Sequence, residues 1–140
     1  MSILKKAIHL ATTMHDGQFD KGGQPYILHP LRLMLKCETD EERVVALLHD
    51  IVEDTEITLS ELRYLSDYSA EIVDAIDCLT RRESETYDDF IDRVKTNKLA
   101  TKIKILDLDD NMDISRLNEV TDKDQERMNK YAAAIQRLVR

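Results

Sequence analysis

The sequence predicts an all-α fold, a compact single helical bundle spanning residues 1–140. Apolar residues recur at helical spacing along the chain, and no segment alternates apolar and polar residues in the way a strand does. Only 3 glycines and 2 prolines occur, which argues against a turn-rich sandwich or barrel. With 140 residues, the chain is one ordinary domain that can bury a hydrophobic core without disulfides or a structural metal.

About eight helices are predicted from this periodicity and from helix-start signals. Capping-box patterns, in which a hydroxyl and a carboxylate satisfy free backbone N–H groups, begin at Thr39 and Thr58, and weaker versions begin at Thr86 and Thr121. Pro30 suits the first turn of a short helix. Residues 16–28 hold all three glycines and are predicted to be irregular. The predicted helices span residues 2–15, 30–36, 40–53, 59–66, 69–80, 87–96, 97–117 and 122–139.

The composition limits which partners the chain is expected to have. The 28 Asp and Glu residues outnumber the 20 Lys and Arg residues and give a net charge of -8, which argues against DNA or RNA as a partner. A metal ion could still bridge an acidic protein to a phosphate ligand. No apolar run approaches the ~20 residues of a spanning helix, and no signal-peptide pattern is present, so no membrane partner is expected. With Cys37 and Cys78 alone, a cytoplasmic protein with free thiols is predicted; a homo-oligomer stays open.

Four titratable residues occupy the end of the predicted helix 40–53. On a regular helix His49 and Glu53 share one edge, and Asp50 and Asp54 share the adjacent edge. Apolar residues surround them in the sequence, and burying such groups unpaired is unfavourable. They therefore need a cation or a dense hydrogen-bond network. A solvated acidic helix end is the alternative interpretation.

Two further candidates lie elsewhere in the chain. His29 precedes Pro30 at a helix start and can point its ring inward, although a hydrogen-bonded core histidine is the alternative. Asp107 and Asn111 interrupt an apolar stripe in the predicted helix 97–117. Asp110, in the same segment, could lie either on the buried face or on the solvent-exposed face of this helix.

His29, His49, Asp50 and Asp107 together offer two imidazoles and two carboxylates from three predicted helices. This donor set suits a divalent transition metal, because the imidazoles argue against Mg²⁺ and Ca²⁺. Carboxylates with room for water favour Mn²⁺, while Fe²⁺, Ni²⁺ and Zn²⁺ also fit. Single ligands on separate segments have no diagnostic spacing, so the set alone is a moderate signal.

The order and spacing of these residues resemble the HD-domain phosphohydrolases. Within that group the likeness is to the hydrolase domain of the RelA/SpoT homologues, including the free-standing small alarmone hydrolases. It extends along nearly the whole chain, and no synthetase half is expected, because no residues are left over to form one. The matching positions are residues 15–18, Lys21, and residues 25–30, 46–55, 79–80, 103–107 and 111–112.

The resemblance implies specific roles for the candidate residues. A metal, usually Mn²⁺, would be held by the four His and Asp ligands, and Glu53 and Asp54 would act on the attacking water. Lys21 would pair with a substrate phosphate, and Asn111 would hold the ribose. Tyr87 is a further residue expected near the site.

The implied activity is metal-dependent hydrolysis of a phosphorylated nucleotide. The main expectation is removal of the 3′-pyrophosphate from guanosine 3′,5′-bis(diphosphate), a reaction of the stringent response. One alternative is a phosphohydrolase of another nucleotide, such as NADPH. The other is a non-catalytic nucleotide-binding or interaction protein, against which the complete Glu53–Asp54 pair argues.

The sequence departs from the family pattern where the family reads the base. Relatives carry an Arg before the position of Lys21 and stack it on guanine, whereas this chain has Asp20. A carboxylate cannot form that cation–π contact and repels phosphate. The family also commonly reads Asn-Met-Arg-Thr, but here Asp113 and Ile114 follow Met112, so the base-reading Thr is missing. The catalytic residues are complete, and the expected change concerns which base is recognised.

Overall fold

The structure is a computed structural model that describes residues 2–65 and 67–140. This part of the chain forms nine α-helices and one short 3₁₀-helix; its only β-type pairing is an isolated bridge between Phe19 and Pro25, which confirms the all-α prediction. None of these helices combines the length and apolar character needed to cross a membrane. The helices are α1 (Ile3–Met14), α2 (Leu28–Leu35), α3 (Asp40–Leu48), α4 (Ile51–Asp54), α5 (Leu59–Tyr64), α6 (Ala70–Leu79), α7 (Tyr87–Lys95), α8 (Lys98–Asn111) and α9 (Asp122–Val139), with the 3₁₀-helix Ile114–Arg116 before α9.

Threonine caps fix the starts of four helices. The side chains of Thr39, Thr58, Thr86 and Thr121 each accept a hydrogen bond from a backbone N–H in the first helical turn, as the sequence predicts. The reciprocal carboxylate contact of a full capping box is present at Thr58 and Thr121. It is absent at the start of α3, where the carboxylate of Glu42 accepts the N–H of Glu38 instead.

The predicted continuous helix 40–53 is wrong at one point. Helix α3 ends at Leu48, and α4 begins at Ile51, because Asp50 adopts a non-helical backbone with φ -105 and ψ 0. Neighbouring residues on a regular helix point roughly 100° apart, so a continuous helix would separate the side chains of His49 and Asp50. Because of the break, the side chains of His49 and Asp50 reach each other, with Nε2 of His49 3.0 Å from Oδ2 of Asp50.

The predicted helix 97–117 also ends earlier, at Asn111. The carboxylate of Asp113 accepts the backbone N–H of Ser115 and starts the 3₁₀-helix. Such local side-chain bonds compete with continued helix, which explains the early end.

Helix α3 lies in the middle of the bundle and packs against α1, α2, α6 and α8. Its last five residues, 44–48, are fully buried. The chain therefore leads His49 into the interior at the point where α3 ends. Helix α9 packs across α7 and α8 and closes the other side of α8.

Arg93 of α7 fastens the connection between α6 and α7. Its guanidinium donates to the backbone carbonyls of Asp77 and Thr80 at 3.0 and 2.7 Å. It also forms a two-point pair with the carboxylate of Glu85, at 2.7 and 2.8 Å. This pairing lowers the pKa of Glu85 to about 2.

The loop before α2 is tied together by Asp20. Its Oδ1 atom accepts the backbone N–H groups of Gly22 and Gln24, both at 2.9 Å. A side chain at Gly22 would place its Cβ 2.5 Å from the carbonyl oxygen of Arg116, so only glycine fits that contact. The loop, which includes Lys21, is thereby held against the 3₁₀-helix.

Candidate metal centre and active site

The four predicted ligands converge in the interior. His29 comes from α2, His49 and Asp50 from the break between α3 and α4, and Asp107 from α8. Each presents one ligand atom, and these atoms lie within 4.8 Å of one another. Nε2 of His29 lies 2.8 Å from Oδ1 of Asp107, and Nε2 of His49 lies 3.0 Å from Oδ2 of Asp50 and 3.4 Å from Oδ1 of Asp107.

Hydrogen bonds on the far side of each ring orient these nitrogens. Nδ1 of His49 lies 2.6 Å from the carbonyl oxygen of Ala46, a contact that requires an N–H donor. Nδ1 of His29 lies 2.6 Å from Oδ2 of Asp110 and donates in the same way. When neutral, each ring presents the lone pair of Nε2 to carboxylate oxygens, and Nε2 of His49 is buried without a hydrogen-bond partner in the described part of the chain.

This arrangement demands positive charge. Burial disfavours a charged ring, yet Asp50 and Asp107 outweigh burial and raise the pKa of His49 well above its ordinary value. Two imidazoles and two carboxylates around one point suit a divalent transition metal, which would relieve the repulsion between lone pairs and carboxylates. Carbonyl and carboxylate acceptors behind the rings are the usual surroundings of metal-bound histidines. The residues present therefore fit a metal.

Asp107 is held from two sides by residues of its own helix. Lys104 donates from Nζ to Oδ2 of Asp107 at 2.9 Å, and Asn111 donates from Nδ2 to Oδ1 at 3.1 Å. Burial opposes ionisation, but Lys104 and the two histidines keep the pKa of Asp107 well below its ordinary value. On the opposite side of the site, the hydroxyl of Tyr26 donates to Asp50. Both candidate carboxylate ligands are thus oriented by neighbouring side chains.

Glu53 and Asp54 lie on α4, one turn beyond the break. Oε1 of Glu53 accepts the backbone N–H of Arg81 at 2.5 Å, and the carbonyl of Asp54 accepts a hydrogen bond from Gln18 at 2.9 Å. Both carboxyl groups reach solvent, but the protein around them desolvates them, and together with the charge of Asp50 this raises the pKa of each. A raised pKa suits a carboxylate that takes a proton near neutral pH.

A pocket of about 220 Å³ adjoins the metal centre on the side of Tyr26 and Asn111. Lys21, Arg116 and Arg127 contribute positive charge to its wall. Burial and the nearby Arg127 lower the pKa of Lys21, so the two cations lie close together. The structure therefore brings Lys21 and Asn111, the two predicted substrate-binding residues, into one pocket. The rest of the wall is formed by Asp20, Gly22, Asp113, Ile114, Leu117, Asp124, Met128 and Tyr131.

Several curated proteins are similar to the chain, although no protein-family model matches it. A guanosine-3′,5′-bis(diphosphate) 3′-pyrophosphohydrolase of Borreliella burgdorferi is 36% identical over 80 residues, which cover 54% of this chain and 12% of the relative. A protein of the same name from Aquifex aeolicus is 29% identical over 117 residues, or 79% of this chain and 17% of the relative. The bifunctional (p)ppGpp synthase/hydrolase SpoT of Escherichia coli is 35% identical over 83 residues, or 56% of this chain and 12% of the relative. The chain thus spans less than a fifth of the length of these relatives.

A solved structure gives a likeness over the whole chain. It belongs to a metazoan orthologue of SpoT described as hydrolysing ppGpp, and it superposes with a TM-score of 0.80 at 19% identity, covering 100% of this chain and 86% of the other. This chain therefore shares the fold of that SpoT orthologue. The likeness in fold and the paired His and Asp residues agree with the all-α HD architecture that the sequence predicts.

The residues at which this chain departs from the pattern that its sequence resembles line the pocket. Asp20 and Ile114 both lie in the pocket wall, as does Asp113. Asp20 also stabilises the loop before α2, because its carboxylate accepts the backbone N–H groups of Gly22 and Gln24. The carboxylate therefore has a structural role in addition to its charge. Arg116, which sequence reasoning did not single out, donates to Asp113 at 3.1 Å and to the carbonyl of Asp110 at 2.7 Å.

Sequence reasoning also missed the support behind His29. Asp110 is buried, and its carboxylate accepts both Nδ1 of His29 and the guanidinium of Arg32, whose two bonds are 2.9 Å long. Burial favours the neutral acid, but these bonds hold the pKa of Asp110 well below its ordinary value. The only available signal was that Asp110 lies three residues beyond Asp107, on the same side of a helix. His15, one of the positions that match the family pattern, is buried and hydrogen-bonded to Gln18.

Tyr87 does not line the pocket. It lies at the start of α7 and contacts a separate group of cations, Arg81 and Lys130.

Proposed function

We propose that this HD domain is a divalent-metal-dependent phosphohydrolase of a phosphorylated nucleotide, with guanosine 3′,5′-bis(diphosphate) as substrate and the 3′-pyrophosphate as the group removed. The observation that carries the proposal is the convergence of the four ligands His29, His49, Asp50 and Asp107 beside Glu53. The names of the curated relatives support the choice of substrate. Mn²⁺ is the proposed metal, because mixed imidazole and carboxylate ligands with room for water suit it; Fe²⁺, Ni²⁺ and Zn²⁺ fit less closely.

A divalent cation in this site supplies neutralisation of the phosphate charge and a lower pKa for the attacking water. Glu53 accepts the proton of that water, and its raised pKa matches this task. Asp54, the next residue on α4, orients the water. Tyr26 and Lys104 keep Asp50 and Asp107 in position through their hydrogen bonds.

The pocket beside the centre holds the rest of the nucleotide. Lys21 and Arg127 bind phosphate oxygens there, since both are cations at a wall that anionic oxygens can reach. Asn111 faces the same pocket and contacts the ribose. These local cations attract a small anion, whereas the acidic chain as a whole repels DNA and RNA. Residues 1–140 act as one hydrolase domain, and the free thiols of Cys37 and Cys78 favour a cytoplasmic location.

The altered residues of the pocket wall favour a second candidate substrate. Asp20 and Ile114 replace residues that read guanine in the family, so a nucleotide with another base fits the same wall. Removal of a phosphate from NADPH is this second candidate. It differs from the first in its product, which is orthophosphate instead of pyrophosphate.

The test is a substrate screen with the purified chain. The protein is stripped of metal, reloaded with Mn²⁺ and incubated with guanosine 3′,5′-bis(diphosphate), its adenosine analogue or NADPH, and released orthophosphate and pyrophosphate are measured separately. We expect pyrophosphate from the guanosine substrate and loss of turnover with a chelator. His9→Ala, at an exposed position of α1, is the control for His49→Ala. The absence of turnover with every substrate under Mn²⁺, Fe²⁺, Ni²⁺ and Zn²⁺ would overturn the proposal.

A further inference from the structure

A second group of cations lies next to the active site but outside the pocket. Arg81, in the connection after α6, and Lys130, on α9, both lie against the ring of Tyr87. The guanidinium carbon of Arg81 is 5.6 Å from the ring centroid, and Nζ of Lys130 is 3.9 Å from it. Cation–π contacts of this kind hold both side chains in place while leaving their N–H groups directed elsewhere. Neither residue lines the pocket that holds Lys21.

This group adjoins the catalytic centre through two contacts. The backbone N–H of Arg81 donates to the carboxylate of Glu53 at 2.5 Å. Burial, Arg81 and Lys104 lower the pKa of Lys130, and Nζ of Lys104 lies 2.9 Å from the carboxylate of Asp107. The backbone of Arg81 therefore contacts the candidate proton acceptor, and the two cations share the ring of Tyr87 next to it.

Their positive charge is uncompensated. Within the described chain, no carboxylate oxygen lies within 4 Å of the charged group of Arg81 or of Lys130, and the guanidinium reaches only the backbone carbonyl of Glu85, at 3.5 Å. This is unusual in a chain with eight more acidic than basic residues. Like charges held together repel each other, and an anion bound between them removes that repulsion.

We propose that Arg81 and Lys130 bind the outer phosphate of a diphosphate ester whose inner phosphate occupies the metal centre. The inference rests on the proposed function and assigns recognition of its leaving group to two residues outside the pocket, which favours the diphosphate substrate over NADPH. Water oxygen forms a bond to the inner phosphorus and the bond from that phosphorus to the sugar oxygen breaks. Glu53 takes one proton from the water and returns it to the sugar oxygen, which leaves as a hydroxyl. The bond between the two phosphates stays intact, so Arg81 and Lys130 hold the leaving pyrophosphate.

Equilibrium binding tests this assignment without turnover. Inorganic pyrophosphate and orthophosphate are titrated calorimetrically into the Mn²⁺-loaded full chain, and metal content is measured afterwards to exclude stripping. We expect pyrophosphate to bind roughly tenfold more tightly than orthophosphate, as charge-assisted bonds to one more phosphate imply. In the double variant R81Q/K130Q, the ratio of the orthophosphate Kd to the pyrophosphate Kd should fall to about one. The Kd of orthophosphate itself should not change.

The matched control is K98Q/K123Q, which removes the same charge from exposed positions of α8 and α9. It should bind both anions as the wild type does. A wild type without preference for pyrophosphate, or an R81Q/K130Q variant that keeps the preference, would overturn the assignment.

Turnover then separates this inference from the proposed function. In R81Q/K130Q, kcat/KM for guanosine 3′,5′-bis(diphosphate) should fall at least tenfold, and that for an analogue with a single 3′-phosphate should not change. An equal loss on both substrates would refute the outer-phosphate role. If the wild type turns over neither, the proposed function fails, and the binding result still decides whether Arg81 and Lys130 form a diphosphate site.

Discussion

His49 follows the last turn of α3, where backbone carbonyls have no partner within the helix. One of these, the carbonyl of Ala46, accepts the N–H of the histidine ring. The helix end thus fixes the tautomer of the ring and leaves Nε2 free for a ligand. Leu48, one position earlier, is fully buried in the core.

We expect His49→Ala and Asp107→Ala to abolish the binding of a divalent ion or weaken it strongly, because each removes one of four ligands from a single site. The wild type should take up about one ion per chain, as expected of one His/Asp site. Metal content after dialysis, measured by mass spectrometry, checks this, with His9→Ala as the control. Unchanged metal content in both ligand variants would refute the assignment.

Glu53→Gln should lower turnover by roughly 10²-fold or more while the metal is retained, because the amide cannot accept the proton of water. The amide oxygen can still accept the N–H of Arg81, so the fold around α4 should be preserved. Steady-state kinetics and metal content are measured together, with Glu56→Gln, a nearby exposed residue, as the control. Loss of metal along with activity would instead make Glu53 a ligand.

At the scale of the elements, the connection between α6 and α7 depends on the pair of Glu85 and Arg93. Because the pKa of Glu85 is about 2 in the folded chain and near 4.5 ordinarily, the pair adds stability above pH 4.5 and loses it as the pH falls from 4.5 to about 2. Glu85→Gln should therefore be less stable than the wild type at neutral pH, and the difference should shrink over that range. Urea unfolding at several pH values measures it, with exposed Glu83→Gln as the control. A pH-independent difference would exclude the ion pair as its cause.

The helix starts could be predicted because a cap is a local event. Thr58 and Thr121 form their boxes with residues three positions away, which the sequence displays. The break at Asp50 could not be predicted, since the segment has helical periodicity and the backbone departs from it where Asp50 meets His49 and Tyr26, a residue distant in sequence. Tertiary contacts here override the local preference.

Some residues of the candidate site could be predicted from the sequence, and others could not. The metal ligands and the Glu53–Asp54 pair were predicted from their order in the family pattern, and the structure brings the ligands together. The residues behind them were not predicted, because Lys104 and Asp110 have charges that fit a solvated helix face equally well. Arg81 and Lys130 come from segments far apart in the chain, and no spacing rule connects them.

At the scale of the whole molecule, the metal site joins α2, α8 and the break between α3 and α4. A ligand that binds only the folded chain stabilises it by RT ln(1 + [L]/Kd), or about 2.7 kcal/mol at a hundredfold excess over Kd. We expect Mn²⁺ to raise the unfolding temperature and a chelator to lower it. Calorimetry with His49→Ala as the control checks this, and an equal shift in that variant would place the stabilising ion elsewhere.

Asp110 has a consequence beyond its support of His29. One of its carboxylate oxygens accepts the ring N–H of His29, a candidate metal ligand, both oxygens accept from Arg32, and its backbone carbonyl accepts Arg116 from the pocket wall. The pocket wall and the candidate metal site therefore share one residue, so a change at Arg116 can be passed to His29 through Asp110. Thermodynamic linkage is reciprocal: by whatever factor the metal tightens nucleotide binding, the nucleotide tightens metal binding. Metal affinity of this domain would then report the supply of its substrate.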